Sequence, residues 1–266
     1  MKIARLRFAD LHWREDGDPD GLPIVFANSL GTDLRLWDKL VCLLPHSDLR
    51  LIRFDKRGHG LSSCPTAPYS MDDLVSDTEE FLDKIGVTKC VFVGLSIGGM
   101  IGQLLADRKP QLVEGLVLSS TAVKMGQAEM WQDRIARIRS DGMDSVAEAV
   151  LERWFSKKFR QTDECLAWRH MLTRTPVEGY TGCCEAIAQT DLLETTRALK
   201  LRVLGICGSD DLASPPEQVR ATTELVPGGR YVEIAGVGHL PCVEQPEVFA
   251  NHLMTFLKED LHVRAL

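Results

Sequence analysis

Long apolar runs are missing: no stretch of the 266 residues approaches the ~20 apolar positions that a membrane span requires. The opening residues, MKIARLRFADLHWRED, alternate as a strand would and reach charge too soon for a signal peptide's apolar region. A cytoplasmic location without membrane attachment is therefore expected. Basic charge is also short. Lys and Arg number 31 against 38 Asp and Glu, a formal net charge of −7, and no Lys/Arg run stands anywhere in the chain. A phosphate backbone needs a basic face, so nucleic acid is not an expected partner. None of the eight cysteines has the paired C-x-x-C spacing of a metal site. Cys90 and Cys207 fall inside predicted buried strands, and buried or incidental thiols are the general expectation. Redox chemistry is weighed only for the adjacent Cys183 and Cys184. Repeats and low-complexity segments are absent as well. What is present is an ordinary globular composition, 44% hydrophobic and 26% charged, long enough for one large domain with an insertion or for two modest ones.

Short apolar runs bounded by turn residues recur at LPIVFAN (22–28), LRLIRFD (49–55), KCVFVG (89–94), EGLVLSS (114–120), LRVLGICG (201–208) and RYVEIAG (230–236). Because they lack polar alternation, they read as strands buried on both faces of a parallel sheet. Helical patterns lie between them. From Ser70, the residues Met71, Leu74, Val75, Phe81, Leu82 and Ile85 fall on one stripe, with a Ser70/Asp73 capping box at the start and Gly86 at the stop. Strand and helix alternate, which predicts an α/β fold with a mostly parallel central sheet and helices on both faces. The alternation lapses between about Lys124 and Thr195, where only helical patterns occur. That predicts a core of residues 1–123 and 196–266 with an all-helical lid, 124–195, inserted between its parts. The lid holds three of the five tryptophans, Trp131, Trp154 and Trp168, as a cover over a pocket would. The plain alternative is that they only hold the lid helices together.

The segment VGLSIGGM carries a G-x-S-x-G pattern at 94–98, a pattern common among turns. Its context is specific: the apolar run CVFV leads in, and a helical pattern through Met100, Gln103, Leu104 and Asp107 leads out. This is the strand-turn-helix of a nucleophile elbow, with Ser96 as the nucleophile. A serine hydroxyl needs a base, and the base needs an acid to orient it. In enzymes built on this elbow the chain order is Ser, acid, His. His239 alone among the seven histidines sits late in the chain, in a loop directly after a predicted core strand. His59, in DKRGHG, comes too early and suits a turn-stabilising role. After LRVLGICG stand Asp210 and Asp211; Asp211 holds the acid's place in G-x-x-D-x-x-x-P, and Asp210 would be solvated or brace the loop. Two oxyanion donors are expected, the backbone N–H of Ile97 and that of Leu30 in NSLGTD, with Asn28, Ser29 and Gly31 shaping the turn.

These segments, FANSLGTDLRLWD, RFDKRGHGLSS, VGLSIGGMIGQLLA, GSDDLASPP and GVGHLPCVEQPEVF, resemble in order those of lid-bearing α/β-hydrolases across nearly the whole chain. The Asn-Ser of NSLGTDLRLWD, where most relatives have His-Gly, resembles the 3-oxoadipate enol-lactonases of bacterial aromatic catabolism, as do AEMWQDRIARIRSDGM and AVLERWF. One departure is Leu212-Ala213-Ser214, where relatives often carry a Pro after the acid and a Thr before the following Pro. The resemblance implies hydrolysis of 4,5-dihydro-5-oxofuran-2-acetate to 3-oxoadipate in the β-ketoadipate pathway, by Ser96, His239 and Asp211, without metal or organic cofactor. The partner is then a small anionic lactone. Its carboxylate is expected to meet Arg134, which shares a helix face with Trp131; Trp154 and Asn28 complete the expected substrate contacts. Against this, Arg134 is weighed as one of several solvated lid arginines with Arg137, Arg139 and Arg153. Rival readings keep the fold and change the role: a carboxylesterase, another lactonase or a carbon-carbon bond hydrolase, or a non-hydrolytic ligand receptor.

Overall fold

The computed structural model describes residues 1–263, so positions 264–266 of the expected core segment lie outside the described residues. The six apolar runs form strands β3 (Leu22–Ala27), β4 (Leu49–Phe54), β5 (Cys90–Leu95), β6 (Val113–Ser119), β7 (Arg202–Gly208) and β8 (Arg230–Ile234). The alternating N-terminal stretch resolves into two further strands, β1 (Lys2–Arg5) and β2 (Asp10–Gly17). Together they make one eight-stranded sheet in the order β1-β2-β4-β3-β5-β6-β7-β8. β3 to β8 pair in parallel, whereas β1 and β2 add an antiparallel edge. The central strands read as unbroken apolar runs because both faces are covered; Ile24, Val25, Phe26, Phe92, Val93, Leu116 and Val117 are all buried.

The longer helices pack on these faces. α1 (Met71–Lys84) starts at the expected capping box, with the Ser70 hydroxyl accepting from the Asp73 N–H and the Asp73 carboxylate accepting from the Ser70 N–H. α2 (Ile97–Arg108) follows β5 directly. Between β6 and β7 the chain carries α3 (Ala128–Asp141), α4 (Asp144–Trp154), α5 (Asp163–Thr173), α6 (Val177–Ala188) and α7 (Leu193–Ala198), and no strand. α7 runs across the expected boundary at 195 and is tied to the core: the Thr196 hydroxyl donates to Gln103 Oε1 of α2 at 2.6 Å. α8 (Pro216–Glu224) and α9 (Pro246–Thr255) complete the core layers. Among the described residues no helix is long and apolar enough to cross a membrane.

Candidate active site

Ser96 ends β5 and caps α2 at φ 58°, ψ −120°, a left-handed backbone that a side chain adopts only when its surroundings impose it. The two flanking glycines explain how. A Cβ on Gly94 would stand 2.3 Å from the Gly98 carbonyl oxygen, and one on Gly98 would stand 2.2 Å from that of Ala27. The turn is therefore too tight for any other residue at either place. Its backbone is pinned as well: the Ser96 N–H donates to Ser119 O at 2.9 Å, and the Thr121 hydroxyl donates to Ser96 O at 2.7 Å.

Asp211 and His239 come from the loops after β7 and β8. The imidazole Nδ1 lies 2.9 and 3.0 Å from the two Asp211 carboxylate oxygens, and both side chains are buried. Asp211 Oδ1 also accepts from the Ala213 and Ser214 N–H groups at 2.8 and 2.9 Å. A carboxylate so surrounded by donors is held in one orientation. With Asp211 accepting at Nδ1, the tautomer carries its proton there and Nε2 is left as the basic atom. Asp210 is exposed and only accepts from the neighbouring Ser209 hydroxyl. The His239 backbone N–H donates to Trp154 O at 2.8 Å, which joins the histidine loop to the end of α4.

Ser96 and His239 line a cavity of about 220 Å³ together with Ser29, Leu30, Trp131, Arg134, Arg153, Trp154 and Tyr180. Most of the residues expected to meet substrate are thus brought to one place. Arg134 lies over the Trp131 ring, 4.8 Å from its centroid, as their spacing on α3 predicts. Arg153 of α4 departs from the alternative of solvated lid arginines: it faces this cavity, where burial and then the nearby Arg134 cation push its guanidinium below the ordinary value. Asn28 is a correction. Its amide donates to Phe54 O and accepts from Trp37 Nε1, each at 2.9 Å, so it braces the strand end and does not reach the cavity. Trp168 follows the plain alternative: it packs on Phe155 with ring centroids 6.1 Å apart and does not line the pocket. Cys183 and Cys184 are buried, and burial pushes the Cys183 thiol up to about 12 and that of Cys184 higher still; protonated, enclosed thiols do not suit a redox pair.

Of the amides at 30 to 32, two are engaged: Gly31 N–H donates to His59 Nε2 at 3.0 Å and Thr32 N–H to Ser29 O at 3.3 Å. The Leu30 N–H is the one without an acceptor among the described residues, on a residue that lines the cavity. Ile97 N–H is the first of α2, next to Ser96. His59 is fully enclosed and stabilises the loop as expected; burial, then the Lys56 cation, hold its pKa well below the ordinary 6.5. The unfolded chain therefore binds a proton near pH 6.5 that the folded chain refuses, and stability falls as pH drops below that point, by at most about 1.4 kcal/mol per pH unit from this group. Urea unfolding at pH 7 and pH 5 checks this. The loss in His59→Gln, whose amide oxygen can still accept from Gly31, is expected to be smaller than that of the wild type.

A larger cavity of about 610 Å³ opens beyond the 32–35 segment, lined by His12, Asp33, Asp55 and Arg174 among others. It contains neither Ser96 nor His239, so volume alone does not locate the chemistry.

Residues 23–246 match the family model described as alpha/beta hydrolase fold. The chain is 32% identical to 3-oxoadipate enol-lactonase 2 of Acinetobacter baylyi over 91% of this chain and 90% of that protein. It is 29% identical to 3-oxoadipate enol-lactonase 1 of the same organism, with 90% of each covered. Among solved structures, the enol-lactonase from Burkholderia xenovorans LB400 superposes with a TM-score of 0.93 at 35% identity, covering 97% of this chain and 100% of that one. A thermophilic esterase from Thermogutta terrifontis does so at 0.88 and 27% identity, with 94% of each chain covered.

Proposed function

The chain belongs to the α/β-hydrolase family, and we propose that within it this protein opens a small anionic enol-lactone, converting 3-oxoadipate enol-lactone to 3-oxoadipate. The observation that carries the choice of substrate is the pair Arg134 and Arg153. Both face the cavity of Ser96 and His239, and neither has a carboxylate within 4.0 Å among the described residues. Two neighbouring cations in a partly buried pocket repel each other and lose hydration, a cost that an incoming carboxylate offsets. At about 220 Å³ the cavity is smaller than the ~300 Å³ at which clefts for drug-sized ligands begin, a size for one ring and a short acidic arm. The enol-lactonase names of the relatives agree with this reading.

In the reaction, the Ser96 hydroxyl attacks the lactone carbonyl carbon while His239 Nε2 takes its proton. Asp211 steadies the imidazolium that results. The oxyanion is held by the N–H groups of Leu30 and Ile97, at roughly 2.7–4 kcal/mol for each donor. Collapse re-forms the carbonyl and breaks the ring C–O bond. The leaving oxygen departs as an enolate, which takes the proton held by the His239 imidazolium and becomes the ketone, so its expulsion is easier than that of a simple alkoxide and His239 is again neutral. The chain then hangs on Ser96 as an ester. His239 removes a proton from water, the hydroxide adds to this ester, and Ser96 leaves with the proton returned. The same reading assigns the helices α3 to α6 the part of a lid and the protein to aromatic degradation in the cytoplasm.

Arg134→Ala and Arg153→Ala are each expected to raise KM for the enol-lactone by about 10- to 100-fold, the loss of one charge-assisted hydrogen bond of about 1.5–3 kcal/mol. Hydrolysis of phenyl acetate, which carries no charge, should stay within about twofold of wild type. Equal losses on both substrates would remove the assignment of a carboxylate to these arginines.

A further inference from the structure

Lys56 follows β4 and is buried, at 4% exposure. Its ammonium donates to Ser29 O at 2.6 Å and lies 3.5 Å from Thr32 O. Among the described residues no carboxylate stands within 4.0 Å of it. The nearby acids are occupied elsewhere: Asp55 accepts from Leu34 N–H, Leu61 N–H and His12 Nδ1, and Asp33 pairs with Arg35. An ammonium enclosed without an ion partner is costly, and a neutral donor would pin a carbonyl at less expense to the fold. The charge therefore calls for a use. The carbonyl it grips supplies one, because Ser29 C=O and Leu30 N–H are the two ends of a single planar peptide group.

We propose that Lys56 is a positioning residue for hydrolysis: its charged ammonium holds the Ser29 carbonyl, and through that rigid peptide aims and strengthens the Leu30 N–H at the oxyanion. A cation on the carbonyl oxygen draws electron density through the amide and makes the N–H a better donor, as in any polarised hydrogen-bond chain. His59 fixes the next peptide by accepting from Gly31 N–H at 3.0 Å, so both peptides flanking Leu30 are anchored by the DKRGHG turn. The inference rests on Leu30 serving the oxyanion in the proposed reaction. The titratable and charged groups facing the ammonium are Asp55 and His59 on its own turn, Asp33 on the loop and Cys183 on α6. Burial pushes the ammonium down to about 8, with Cys183, Asp55 and Asp33 opposing it. Above that pH the ammonium loses its charge, and its grip on the Ser29 carbonyl weakens.

The test is hydrolysis of phenyl acetate from pH 6 to 9.5 by the wild type, Lys56→Met and Lys56→Gln, with thermal unfolding recorded for each. Lys56→Met is expected to lose about 10- to 100-fold in kcat with KM little changed, less than the loss of an entire oxyanion donor. Lys56→Gln, which still donates to Ser29 O, should recover part of it. The wild-type kcat should decline above about pH 8, and that decline should be missing from both variants. Affinity for phenylboronic acid, which forms a tetrahedral adduct on Ser96, should fall in step with kcat. A Lys56→Met enzyme within about threefold of wild type overturns the inference, as does a decline that persists in the variants. If Lys56→Met does not fold, a wild-type kcat that stays flat from pH 7.5 to 9, or a fully active Lys56→Gln, overturns it equally. A wild type that hydrolyses neither phenyl acetate nor the lactone overturns the hydrolase reading itself, and this inference with it.

Discussion

Ser96→Ala is expected to lower kcat on the enol-lactone by about 10⁴-fold or more while leaving the unfolding temperature near that of wild type. The two parts of this expectation have separate causes. Ala keeps the Cβ that the left-handed turn already accommodates at φ 58°, and the hydrogen bonds that pin the turn run through the backbone of Ser96, not through its hydroxyl. The elbow is thus preserved. What disappears is the atom that forms the acyl ester in the proposed reaction, so the remaining acceleration is expected from binding and the oxyanion donors alone. Steady-state turnover beside a thermal melt checks both halves. A variant that keeps more than a few per cent of wild-type activity would mean that water, and not Ser96, attacks the carbonyl.

Asp211→Asn should cost nearly as much, about 10⁴-fold in kcat, with little change in KM. The carboxylate accepts from three N–H groups at once: His239, Ala213 and Ser214. An amide offers one acceptor oxygen. If that oxygen serves Ala213 and Ser214, the amide NH₂ faces His239 and favours the tautomer with its proton on Nε2. The base then presents a proton to Ser96 where it needs a lone pair. The same change leaves a buried donor poorly met and should destabilise the fold by about 1–3 kcal/mol, which chemical denaturation would register. Asp210→Asn, on an exposed residue whose carboxylate accepts from the Ser209 hydroxyl, should alter neither quantity.

Legibility in the sequence divided along physical lines. Strands buried on both faces announce themselves as apolar runs, so β3 to β8 and the α/β class could be read directly, and the capping box at Ser70 is a local signal that the structure repeats. Ser96, Asp211 and His239 each stand in a loop just after a core strand, where position in the chain and position in space coincide. Side chains on the inserted helices have no such link. Arg153 is turned into the cavity by the way α4 packs against α3, with nothing local to separate it from Arg137 or Arg139. Asn28 failed as a substrate contact because its partners are distant in sequence: Trp37 and Phe54 consume both ends of its amide. Lys56 stands in a polar DKRG turn where no local pattern marks it; the fold encloses it beneath the Ser29 carbonyl.

The most direct measurement is the rate of loss of enol-lactone absorbance with wild type and Ser96→Ala, run beside the methyl ester of the same lactone's acidic arm. The account predicts a loss of about 10⁴-fold or more in Ser96→Ala, and a wild-type kcat/KM at least about 100-fold higher for the free acid than for the ester, since both Arg134 and Arg153 lose their counter-charge. Equal kcat/KM on acid and ester, or more than a few per cent of wild-type lactone hydrolysis surviving in Ser96→Ala, would contradict it.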